Sequence, residues 1–161
     1  MKHLALLAGF ALLFFTACQE DASAWKETDL LAYGIPLTID APDSVQIESN
    51  DMVGSLQDVT VKGEGYNVQI FASSAETNDV SQVKARQLES VKDLRYFSRV
   101  VEEEENGFIY EFLIEQDNPT YGFRYIVIQG DKEYIFQPGL SAMYNLEQAQ
   151  QLYQAVKPKR R

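Results

Sequence analysis

Between Pro36 and Ala41 apolar and polar residues alternate, with Leu37 and Ile39 facing one way and Thr38 and Asp40 the other, which predicts a strand. Ala41-Pro42-Asp43-Ser44 then has turn chemistry, and Val45-Gln46-Ile47 resumes the alternation. Val59-Thr60-Val61 meets Tyr66 to Ala72 across Lys62-Gly63-Glu64-Gly65, the pattern of a hairpin. From Thr77 the period lengthens. Val80, Val83, Gln87 or Leu88, Val91 and Leu94 recur every three to four residues behind the capping candidates Thr77, Asn78 and Asp79, so an amphipathic helix is expected to end near Leu94.

Alternation returns in Phe97 to Glu103, Phe108 to Glu115 and Tyr121 to Gln129, with turns expected at Glu105-Asn106-Gly107 and Asp117-Asn118-Pro119. Glu133 to Gln137 follows over the two-residue loop Gly130-Asp131, which completes an antiparallel meander. Phe108, Tyr110, Phe112 and Ile114 share one face of their strand while Ile109 and Leu113 occupy the other. Phe123, Tyr125 and Val127 stand against Ile126 and Ile128 in the same way, so both faces of the sheet need covers. Asn145 with Gln148 forms a capping-box pair before a stripe of Ala149, Leu152, Tyr153 and Val156, and Pro158 ends that helix. The fold class expected is α+β: an antiparallel sheet of about six to seven strands flanked by two helices, an α/β/α sandwich.

The first 29 residues read differently. Met1-Lys2-His3 is a basic start, Leu4 to Ala17 an apolar run, and Cys18, the only cysteine, follows at once. The run is shorter than the ~20 residues a spanning helix needs, and it has the layout of a secretory signal. Phe15-Thr16-Ala17-Cys18 resembles the lipobox of bacterial lipoproteins, departing from it at Phe15, where Leu is commoner. The resemblance implies a diacylglycerol on the Cys18 thiol and cleavage that leaves Cys18 as the new N-terminus. The other reading is an ordinary signal cut after Ala17, with Cys18 a free thiol. Gln19 in place of Asp leans toward the outer membrane, and Gln19-Glu20-Asp21 is either an acidic surface-export tag or a solvated linker. The expected organisation is a lipoprotein signal peptide over 1–17, a lipidated cysteine and tether over 18–29, one α+β domain over 30–157 and a basic tail over 158–161.

Processing removes His3, the only histidine, and turns Cys18 into a thioether. The 144 residues from Cys18 onward then lack imidazole and free thiol, which excludes Ser-His-Asp and Cys-His catalysis and zinc sites built from Cys and His. No catalytic residue, metal or cofactor is assigned. Loss of Lys2 deepens the formal net charge from −10 to −11, a field that repels nucleic acid.

The order of elements resembles the PsbP-like α/β/α sandwich. Tyr33-Gly34-Ile35-Pro36 leading into Leu37-Thr38-Ile39-Asp40-Ala41-Pro42 carries the resemblance, together with the central helix, Glu133-Tyr134-Ile135-Phe136, and Leu146 to Val156. It covers residues 30 to 157 and implies a non-catalytic binding or assembly role without transferring any site residue. The chain is therefore expected to be a lipid-anchored envelope protein, bound to the membrane through Cys18, that binds an envelope protein partner or a small ligand. The alternative is a carboxylate-dependent hydrolase of cell-wall or glycan material, for which Glu111 and Glu115 are two acids expected on the same strand.

Tyr110, Tyr121, Tyr125 and Tyr134 are the candidate ligand-binding residues: an aromatic platform if at least two rings lie exposed side by side, core packing if they do not. The run Glu102-Glu103-Glu104-Glu105 reads as a solvated hairpin tip, because neighbours in a strand point to opposite faces and cannot close around one cation. Lys157, Lys159, Arg160 and Arg161 form a basic tail that is either frayed or in contact with anionic head groups. Trp25 either enters the membrane interface or packs on the domain.

Overall fold

The computed structural model describes residues 25–52, 55–115 and 118–158. The signal peptide, Cys18, the acidic stretch after it, Asp117 and the tail residues Lys159, Arg160 and Arg161 lie outside the described residues. The fold is α+β. Seven strands form one antiparallel sheet in the order β3-β4-β5-β9-β8-β7-β6, where β3 is Gln46–Asp51, β4 Gln57–Gly63, β5 Tyr66–Ser74, β6 Phe97–Glu104, β7 Gly107–Glu115, β8 Asn118–Gln129 and β9 Lys132–Pro138. A second, two-stranded sheet pairs β1, Lys26–Asp29, with β2, Thr38–Ala41.

Helices α1 (Val80–Lys92) and α2 (Leu146–Ala155) cover opposite faces of the large sheet. Asp79 caps α1 by accepting from the Ser81 backbone N–H at 2.9 Å, and Asn145 with Gln148 closes the capping box of α2. On the first face Val83 packs with Ile126 and Ile135, while Val91 packs with Phe108 and Tyr110. On the second, Ala149, Leu152 and Tyr153 meet Phe123, Tyr134, Phe136 and the inward residues of β4 and β5. Tyr153 stands edge-on to both Tyr125 and Phe123, with ring centroids 5.6 and 6.1 Å apart. Each fully buried side chain of this size contributes about 1.5–3 kcal/mol.

Three boundaries differ from the sequence reading. Strand β1 lies inside the stretch assigned to the tether, because Lys26-Glu27-Thr28-Asp29 pairs with β2 through its backbone and needs no apolar face to do so. Asn118 and Pro119 belong to β8 rather than to a turn; proline is tolerated at the start of a strand, where no ladder hydrogen bond requires its missing N–H. Leu94 lies past the end of α1 and is exposed.

Candidate functional site

The strand registers give the molecule two poles. At one lie the β4–β5 turn at Glu64-Gly65, the start of β6, the end of β7, the start of β8 and the β9–α2 loop from Gly139 to Asn145. Trp25 is at this pole, edge-on to Tyr66 with centroids 5.1 Å apart, so the chain from Cys18 reaches the domain here. The β8–β9 turn, the end of β3 and Pro158 mark the opposite pole, and the β6–β7 hairpin points toward it.

Among the described residues, eight large apolar side chains are exposed, and six of them gather at the Trp25 pole: Leu94, Tyr96, Leu113, Ile114, Leu140 and Met143. The local geometry explains the gathering. The Leu113 N–H donates to the Tyr96 carbonyl at 2.9 Å, which joins the end of β7 to the segment after α1. The Gly139 N–H donates to Asn67 and the Ala142 N–H back to Gly139, so the β9–α2 loop folds tightly and turns Leu140 outward, 82% exposed. Ser141 in that loop has φ 62, a left-handed conformation that a side chain disfavours.

Between this loop and the end of α1 a concavity of about 230 Å³ opens over the sheet, with Leu94 and Leu140 at its rim and Tyr110, Gly122, Arg124 and Gln137 deeper in. The Tyr110 ring lies against the Gly122 backbone so closely that an added Cβ would sit 2.6 Å from it. Arg124 donates to the Tyr110 hydroxyl at 2.9 Å and to the Phe123 carbonyl at 3.1 Å, with its guanidinium 5.6 Å from the Tyr110 ring centre. Its buried Nε–H has no partner, and no carboxylate pairs with it among the described residues. An arginine without an ion pair in so acidic a chain is a candidate anion-binding group.

The four tyrosines singled out in the sequence are not brought together. Tyr110 and Tyr134 are both 3% exposed and lie on opposite faces of the sheet, while Tyr121 and Tyr125 are half-buried on the α2 face. No two of them form an exposed platform; Tyr110 and Tyr121 do line the concavity. Burial pushes the hydroxyls of Tyr110, Tyr125 and Tyr134 above the ordinary tyrosine range, so they remain neutral phenols.

The acidic run splits between the two faces, as strand alternation requires. Glu103 pairs with Lys84 of α1 at 3.0 Å, while Glu102 meets Gln150, and Glu104 meets Lys157 at 2.7 Å on the α2 side. No cluster of acids fit to hold a metal ion occurs among the described residues. Lys157 is thereby fixed at the pole away from Trp25, with its ammonium 4.8 Å from the Tyr153 ring centre.

Glu111 is held differently. Its carboxylate accepts from Arg99 Nε at 3.1 Å and Nη2 at 2.9 Å, from the Ser98 hydroxyl at 2.9 Å and from the Tyr121 hydroxyl at 3.2 Å. The Arg99 hydrogen bonds lead in holding its pKa below the ordinary glutamate value, outweighing the opposing effect of burial, and Ser98 adds to them. A depressed folded-state pKa stabilises the fold at pH values above the unfolded value, about 4.3, and the contribution disappears as pH falls through the folded value. Thermal melts from neutral pH into acid should show a steeper loss for wild type than for Glu111→Gln below that pH. Parallel acid limbs would remove Glu111 as a source of the pH dependence.

Arg124, Gly122 and the apolar rim were not singled out in the sequence. One signal was available: Leu140 and Met143 are long apolar side chains in a segment between a strand and a capping box, where polar residues are usual. The folded chain is a three-layer sandwich with an apolar-rimmed concavity at one pole. No protein-family model matches it, and no curated protein matches it.

Proposed function

We propose that the protein is a lipid-anchored envelope protein with a PsbP-like domain, and that it works by binding rather than by catalysis. Its binding surface is the Trp25 pole, where Leu94 and Leu140 border the concavity lined by Tyr110 and Arg124 and four further apolar side chains are exposed at the same end of the molecule. The observation that carries this reading is the concentration of exposed apolar side chains at that one pole, since apolar side chains gathered at one end of a surface mark a site of contact. The chemistry of the concavity supports it, because an unpaired guanidinium beneath apolar walls suits a ligand that is anionic at one end and apolar at the other. Of the acids weighed for a hydrolase, Glu111 is engaged by Arg99, Ser98 and Tyr121, which favours its ionised form and disfavours a role as proton donor.

Photocrosslinking in cells tests the reading. A benzophenone amino acid placed at Leu140 or at Met143 should give a discrete adduct, identified by mass spectrometry, whereas the same probe at Leu31 on the opposite pole should give none. Equal yields at all three positions, or no adduct from any, would remove this pole as the binding surface.

A further inference from the structure

Six residues, Gln19 to Ala24, separate the cysteine from Trp25. Fully extended they span ~20 Å, so a domain tethered through Cys18 cannot move its Trp25 pole far from the lipid surface. The six exposed apolar side chains lie at that same pole. Trp25 sits near β5, and the exposed Leu113 and Ile114 are on β7, three strand spacings away in the order β5-β9-β8-β7, or ~15 Å. The tether is long enough for these side chains to meet the plane in which the acyl chains are anchored.

We propose that this pole is a lipid-facing surface, with Leu94, Tyr96, Leu113, Ile114, Leu140 and Met143 resting in the interface of the bilayer that holds Cys18. The assignment rests on the anchored binding reading above and names what occupies its surface. The distribution of side chains agrees with it. Tyr96 carries Arg95 over its ring at 5.2 Å, a pairing of apolar body and charged head suited to the boundary between acyl chains and water. Arg95 lies beside Leu94 and Tyr96 to meet head-group phosphates, whereas Lys92 is paired with Glu89 at 2.8 Å; the acids at this pole are Asp93, Glu115 and, beside Trp25, Glu64 and Glu147. The densest acidic run, Glu102 to Glu105, is on the hairpin that points the other way, where it does not oppose an anionic surface.

The experiment uses the mature, acylated chain reconstituted in vesicles of phosphatidylethanolamine and phosphatidylglycerol, with and without brominated acyl chains. Trp25, the only tryptophan, is changed to phenylalanine, and a tryptophan probe is introduced by Leu140→Trp in one protein and by Leu31→Trp in another. Side chains seated at the interface lie within ~5–10 Å of the acyl boundary. Brominated chains should therefore remove most of the emission at position 140 and little at position 31. If Leu140→Trp melts well below the parent protein, Met143→Trp takes its place. Equal, weak quenching at both poles overturns the bilayer assignment. With that outcome, a protein captured by the crosslinker at Leu140 leaves the binding reading standing and replaces lipid with that protein; no capture removes both.

Discussion

Gly107→Ala is expected to melt about 10 °C below the wild-type protein, a loss of about 3 kcal/mol. Gly107 opens β7 opposite Tyr125 of β8, and α2 presses on the same point. A Cβ built there would stand 2.2 Å from the Arg124 carbonyl oxygen, 2.9 Å from the Tyr153 hydroxyl and 3.1 Å from the Tyr125 Cα. Two of these three atoms are backbone of a central strand, which has no side-chain torsion through which to yield. Either β7 and β8 separate, at the expense of ladder hydrogen bonds, or α2 lifts and Tyr153 loses its seat against Phe123 and Tyr125. Thermal denaturation followed by circular dichroism measures the cost, and a melt within about 2 °C of wild type would mean that the close approach is not real.

Cys18→Ser is expected to abolish fatty-acid labelling altogether. The thiolate is the nucleophile that accepts a lipid, and a serine hydroxyl at the same place is far less reactive. The physical consequence is large because each buried methylene contributes about 0.8 kcal/mol to membrane retention, and a single acyl chain gives only marginal, reversible binding. A diacylglycerol group supplies two chains. Cells grown with an alkyne-tagged fatty acid, followed by capture of the protein, give the readout. Label that persists in Cys18→Ser would place acylation elsewhere, and an unlabelled wild type would return Cys18 to a free thiol.

Much of the fold was legible because its strands and helices signal themselves by period. Both faces of β7 and β8 are apolar, which announced a sheet covered on two sides, and Asn145 with Gln148 marked the start of α2 to the residue. What periodicity does not carry is pairing through backbone alone. Lys26–Asp29 has no apolar alternation, and its strand exists because β2 lies beside it. The candidate site was obscured for a related reason: its exposed apolar side chains come from residues 94–96, 113–114 and 140–143, three short pieces that only the closed fold brings to one pole. The alternating tyrosines drew attention because they share a sequence pattern, yet alternation also sends them to different faces and into the core. Arg124 carries no motif; it stands out only once the fold shows that, among the described residues, no carboxylate pairs with it.

Helix α2 begins beside Trp25 and delivers the chain to Pro158 at the other pole, next to Gln129. The described chain therefore begins and ends at opposite poles, separated by roughly the length of α2, whose 10 residues span about 15 Å. A fluorescent reporter or affinity handle joined after Pro158 would stand at the pole away from Trp25, and, if Cys18 is the anchor as proposed, an insertion ahead of Trp25 would act as a spacer between the lipid and the domain.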